Sequence, residues 1–185
     1  MRTLAHRIGF ACAFAVVGSG CFLFDQEAAV SLGVIHVEEV LVEDTCGPGF
    51  QAPGPSLAYD VELRRTGTTL MWAGPGAPVQ GTCDDSGRFC FELTNTWHVR
   101  DPDPWLEDPG CDMFRVERLC GSLEMSEDAT DAGSKEQVTA VTATHESFVS
   151  SAAGSYCPEL IGVQPGQFMA IPCQVAYEIT GAAAE

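Results

Sequence analysis

Tyr59-Asp60-Val61-Glu62-Leu63-Arg64-Arg65-Thr66-Gly67-Thr68-Thr69-Leu70-Met71-Trp72 reads as a β-hairpin. Tyr59, Val61 and Leu63 point one way and the charged residues the other, the period-two pattern of a strand with one buried face. Arg65-Thr66-Gly67 is a turn signal, and residues 69–72 return as the second strand. The same alternation recurs on both sides. Residues 32–42 carry it less regularly. Phe89, Phe91 and Leu93 share a face, with Cys90 and Glu92 on the other. Residues 138–145 are rich in threonine and valine, and residues 174–179 turn Val175, Tyr177 and Ile179 inward. The links between these segments, at 47–55, 73–78, 101–104 and 162–166, are rich in glycine and proline, which break helices. Residues 112–124 place Met113, Val116, Leu119, Cys120 and Leu123 at helical spacing, but Gly121 interrupts the pattern, and a strand is the preferred reading. The acidic stretch 126–134 reads as a solvated hairpin tip. Short strands with turn-rich links and no repeat predict one all-β domain, either an antiparallel β-sandwich or a small calycin-like barrel.

Residues 1–7 carry two arginines and no acid, and residues 8–17 form an uninterrupted apolar run. These are the n-region and h-region of a secretory signal peptide, and the run is shorter than the roughly 20 residues that span a bilayer. Gly18-Ser19-Gly20-Cys21 follows and resembles the lipobox of bacterial lipoproteins with a type II signal peptide, although Gly18 stands where leucine is usual. That resemblance implies a diacylglycerol on the Cys21 sulfur, cleavage before Cys21, and an acyl group such as palmitate on the new amino terminus. It also implies a cell-envelope address, at the outer membrane or cell surface. Small residues at Gly18 and Gly20 equally suit ordinary signal peptidase, whose product is soluble, periplasmic or secreted. The expected organisation is therefore a signal peptide over 1–20, a short tether over 21–31 and a β domain over 32–185. With its late Cys157, Ile171-Pro172-Cys173 and Tyr177, the whole chain resembles small lipoproteins of unknown function in GC-rich, myxobacterial-type bacteria. This implies an address and a style of fold, not an activity.

Without residues 1–20 the chain holds seven basic and 26 acidic residues, a formal charge of −19. That field repels phosphate backbones, so nucleic acid is not an expected partner. Seven cysteines follow Cys21. In an exported chain they read as disulfides, because the compartment beyond the inner membrane is oxidising. Nearness in sequence predicts Cys157–Cys173, Cys111–Cys120 and, third, Cys83–Cys90, with Cys46 left over; the alternative pairs Cys46 with Cys83 and leaves Cys90 as the odd thiol. No C-x₂₋₄-C knuckle is present to suggest zinc.

Motifs that carry catalysis are missing. There is no G-x-S-x-G elbow, and Val149 stands where a zincin beginning at His145-Glu146 needs its second histidine. His36, His98 and His145 read as strand-surface residues. The carboxylates of residues 101–112 have calcium-like chemistry, but Trp105 and Leu106 occupy the fifth and sixth positions, and an acidic Pro-turn loop is the simpler reading. No cofactor is expected. Trp72, Trp97 and Trp105 are candidates for a pocket lining, although core packing is the commoner role of tryptophan. The leading functional expectation is a non-enzymatic envelope module that binds a small apolar ligand or an envelope protein and attaches to the membrane by its lipid. A purely structural lipoprotein is the alternative, and a secreted hydrolase the third.

Overall fold

The structure is a computed structural model that describes residues 29–50, 54–130, 133–164 and 166–184. The proposed signal peptide and Cys21 lie outside these residues. Eight strands form: β1 (Val30–Asp44), β2 (Ser56–Thr66), β3 (Thr69–Ala73), β4 (Val79–Cys83), β5 (Arg88–Arg100), β6 (Cys111–Thr130), β7 (Gly133–Ser151) and β8 (Cys173–Ala183). Each pairs antiparallel with its successor, and β1 returns to β8, with Ile35 opposite Ala183 and Leu41 opposite Tyr177. Of the two expected architectures, the chain adopts the closed barrel, in which every strand has a neighbour on each side.

The hairpin over 59–72 forms as read. Glu62 faces Ala73, Thr66 faces Thr69, and Gly67 takes a φ of +56° in the two-residue turn. A φ of that sign lets the turn follow the twist of its strands and suits glycine. Two strands were not among the six alternating segments. β4 is short and carries Gly81, where a Cβ would come within 2.3 Å of the Cys90 carbonyl oxygen, so only glycine lets β4 approach β5 this closely. β6 covers the segment with helical spacing and continues into the acidic stretch, its ladder with β7 closing at Thr130 opposite Gly133.

The barrel has two unlike ends. At one lie the start of β1 and the tight hairpins after β2, β4 and β6. In the second of these, Asp84 Oδ1 accepts the backbone N–H of Ser86 at 2.9 Å and that of Arg88 at 3.0 Å, and Gly87 takes a φ of +80°. Leu32, Leu63, Leu70, Phe89, Leu123 and Ile179 fill the interior here. At the other end are the longer connections. The chain after β7 folds back over the start of β6, where Tyr156 N–H donates to Gly110 O at 2.9 Å. Met113, Val149, Phe168, Val175 and Tyr177 form a second apolar cluster beneath it.

The disulfides differ from the neighbour pairing. They join Cys46 to Cys173, Cys90 to Cys120 and Cys111 to Cys157, with Cα separations of 5.0, 4.1 and 5.1 Å. Cys111 and Cys120 lie nine residues apart on one extended strand, about 30 Å at ~3.4 Å per residue, and cannot meet. Cys83 stands opposite Phe89 and turns inward, whereas Cys90 is one residue further on and turns outward to Cys120, its direct neighbour in the ladder. Cys173 opens β8 beside the end of β1 and so meets Cys46, which leaves Cys157 for Cys111. Among the described residues the unpaired thiol is therefore Cys83, not Cys46, and it is buried in the closed end. The three bridges place the barrel in an oxidising compartment outside the cytoplasm. Among the described residues no helix is long and apolar enough to cross a membrane.

Candidate ligand cavity

Between the two apolar clusters the interior is not filled. A cavity of about 410 Å³ opens there, bounded by Trp72, Val79, Phe91, Leu93 and Leu119 on its apolar side and by Glu39, Tyr59, Glu117 and His145 on its polar side. Alternation places them: Glu39 continues the inward series Ile35, Val37 on β1, Glu117 stands between Arg115 and Leu119 on β6, and His145 continues Ala143 on β7. Trp72, Phe89 and Phe91 pack with ring centroids 5.6 to 6.1 Å apart and separate the cavity from the closed end. Its mouth lies beside Pro78, Gln80 and Glu92. β4 and β5 share only the pairs Thr82–Cys90 and Cys83–Phe89, so the wall between these strands is unladdered where the cavity reaches the surface.

The polar side is ordered by buried contacts. The Tyr59 hydroxyl donates a short hydrogen bond to Glu39, a residue only 6% exposed. Burial, with the hydrogen bond to Glu39 and its charge, pushes the Tyr59 phenol far above its ordinary range, so it acts as a donor. Arg115 forms an ion pair with Glu117, donates to Ser147 Oγ at 3.3 Å and lies 4.6 Å from the centre of the Phe50 ring. Its Nε is buried and makes no hydrogen bond among the described residues. His145 stacks on Tyr177 with ring centroids 6.1 Å apart. No family model, curated protein or solved structure matches the chain. The cavity offers an apolar wall, a carboxylate held by a phenol and an imidazole, the makings of a binding site for an amphipathic molecule.

The candidates read from sequence fall in different places. Trp72 lines the cavity and is also core, Trp97 is 37% exposed, and Trp105, at 93%, stands on a loop. The carboxylates of residues 101–112 are partly engaged: Asp108 pairs with Arg100, and Asp101 and Asp112 lie 3.1 and 2.7 Å from the ring nitrogens of His98. His36 and His98 lie on the surface as expected, whereas His145 faces the interior. Its phase was concealed by the register shift opposite Glu124 and Met125, which puts both Val138 and Val141 inside. Nothing in the sequence singles out Glu39, Arg115 and Glu117, because each breaks the apolar alternation that marks a core face.

A pH effect follows from His145. Burial lowers its imidazole from the ordinary 6.5, Arg115 lowers it further, and Glu39 opposes both. The unfolded chain therefore takes up this proton before the folded chain does. Stability from this group is complete above pH 6.5 and falls as the pH drops below it, by at most about 1.4 kcal/mol per pH unit for one proton. His98 acts in the opposite sense, because its pKa is raised by its hydrogen bond to Asp112. Comparison of wild type with His145→Gln isolates the first effect: the melting temperature of the variant should fall less between pH 7 and 5. Parallel curves would show that His145 does not titrate as its burial requires.

Proposed function

We propose that this barrel is a cell-envelope binding protein, tethered by a lipid on Cys21, that holds a small amphipathic ligand in its interior cavity. The observation that carries the reading is the half-open cavity of about 410 Å³ with an aromatic and aliphatic wall and a buried polar side. That volume falls in the range of roughly 300–1,000 Å³ typical of small-molecule sites. A purely structural lipoprotein would be expected to fill this space with side chains. Titration calorimetry with decanol should give saturable binding to the wild type and binding at least about tenfold weaker to Leu93→Trp, whose larger side chain takes up part of the cavity. Absence of saturable binding to the wild type by any decyl amphiphile, whatever its head group, would favour the structural alternative.

Two observations support the lipid anchor. Six of the seven cysteines after Cys21 pair among themselves, and the seventh, Cys83, is 2% exposed inside the closed end. No accessible thiol is therefore left among the described residues to bridge Cys21. In addition, β1 starts at the end opposite the Pro78 loop that borders the mouth. Only nine residues lead from Cys21 to Val30, a reach of at most about 32 Å at full extension, so anchoring there would hold the barrel near the membrane with its mouth turned outward. Mass spectrometry of the protein from its native host should find a mature chain that begins at Cys21 and carries acyl mass. An unlipidated mature amino terminus, or retention of residues 1–20, would refute the anchor while leaving the cavity reading intact.

A further inference from the structure

The cavity's charges are unevenly matched. Glu117 is paired with Arg115, and Glu92 at the mouth is paired with Arg118 at 2.7 Å. Glu39 has no cationic partner among the described residues; its side-chain hydrogen bond comes from the neutral hydroxyl of Tyr59. A buried carboxylate held by one neutral donor is costly unless a cation meets it. His145, on the same polar side of the cavity, does not supply one at neutral pH, because burial lowers its affinity for a proton. Trp72 and Phe91 border the same space and present aromatic rings, which attract ammonium groups. The formal charge of −17 over the whole chain raises the local concentration of cations around it.

We infer that the ligand is a cationic amphiphile, an alkylammonium ion whose head meets Glu39 and whose tail lies along Trp72, Phe91, Leu93 and Leu119. This rests on the proposal that the cavity is a binding site and adds the class of molecule it takes. The primary ammonium donates to the Glu39 carboxylate, and the apolar tail displaces water from the wall. An alkanol keeps the second contact and loses the charge. A fatty carboxylate places like charges together at Glu39.

The test is calorimetric titration of the whole mature protein at pH 7 with decylammonium, decanol and decanoate, each below its micelle concentration. The expected order is decylammonium over decanol by about tenfold, since a charge-assisted hydrogen bond outweighs a neutral one by about that factor, with decanoate weakest. Glu39→Gln keeps an acceptor for Tyr59 and should remove the preference for the amine while leaving decanol affinity within about twofold. Decanol or decanoate binding as tightly as decylammonium to the wild type would overturn the inference and leave the cavity reading standing. A preference that survives in Glu39→Gln would overturn the role of Glu39. Failure of all three to bind would remove the cavity reading and this inference with it. If Glu39→Gln does not fold, the ranking on the wild type decides alone.

Discussion

Replacing Cys46 and Cys173 together by alanine should destabilise the barrel by about 4–5 kcal/mol in the chain-entropy account of disulfides. The bridge spans 127 residues, the longest separation of the three, against 30 for Cys90–Cys120 and 46 for Cys111–Cys157. Loop-closure entropy grows with the logarithm of length, so this bridge constrains the unfolded chain most. It also has a local role, because it ties the end of β1 to the start of β8 at the seam that closes the barrel. Cys46 is fully buried and Cys173 nearly so, and their removal also opens space in the far apolar cluster. Urea denaturation of the double variant against wild type measures the loss. An unchanged midpoint with an unchanged slope would contradict it, and a non-reducing peptide map that joins Cys157 to Cys173 would overturn the connectivity.

Phe91→Asp should abolish cooperative folding, whereas Glu62→Lys should be nearly silent. Phe91 is 5% exposed between Trp72 and Phe89, with its ring centroid 5.6 Å from that of Phe89. Truncating a buried phenylalanine typically costs about 3–5 kcal/mol, and burying an unpaired carboxylate adds several more, against a total stability of about 5–15 kcal/mol. Glu62 alternates with the buried Val61 and Leu63 and faces outward, paired with Arg64 at 2.8 Å. An exposed ion pair of this kind is worth about 1 kcal/mol or less. Melting curves for the two variants give the answer directly. Equal tolerance of both would show that the faces of β2 and β5 have been assigned wrongly.

The contrast between these two residues shows where the sequence was legible. Strands whose inner face is wholly apolar, such as Tyr59-x-Val61-x-Leu63 and Val175-x-Tyr177-x-Ile179, announce themselves, because burial selects one residue class at every second position. β6 did not, because its inner face carries Arg115 and Glu117 between Met113 and Leu119. A cavity that needs polar groups inside the barrel breaks the pattern by which strands are recognised. The site and the hardest strand to read are thus the same residues, which is where local rules are expected to yield to function. The signal that was available is a charge in the apolar phase: Glu39 after Ile35 and Val37, and His145 after Val141 and Ala143. Disulfide pairing was not legible for a different reason. Sequence nearness ignores which face a cysteine occupies, and Cys83 and Cys90 lie on opposite faces of the barrel wall.

In the proposed binding protein the interior cavity, and not the surface, receives the ligand. The chain holds three tryptophans, and their indole N–H resonances report separately: Trp72 from the cavity wall, the 37% exposed Trp97 from β5 beyond the residues that line the cavity, and Trp105 from an exposed loop. A nitrogen–proton correlation spectrum recorded during titration with decylammonium should show the Trp72 resonance moving to saturation while those of Trp97 and Trp105 stay in place. A stationary Trp72 resonance, or saturating movement confined to Trp97 and Trp105, would contradict the account.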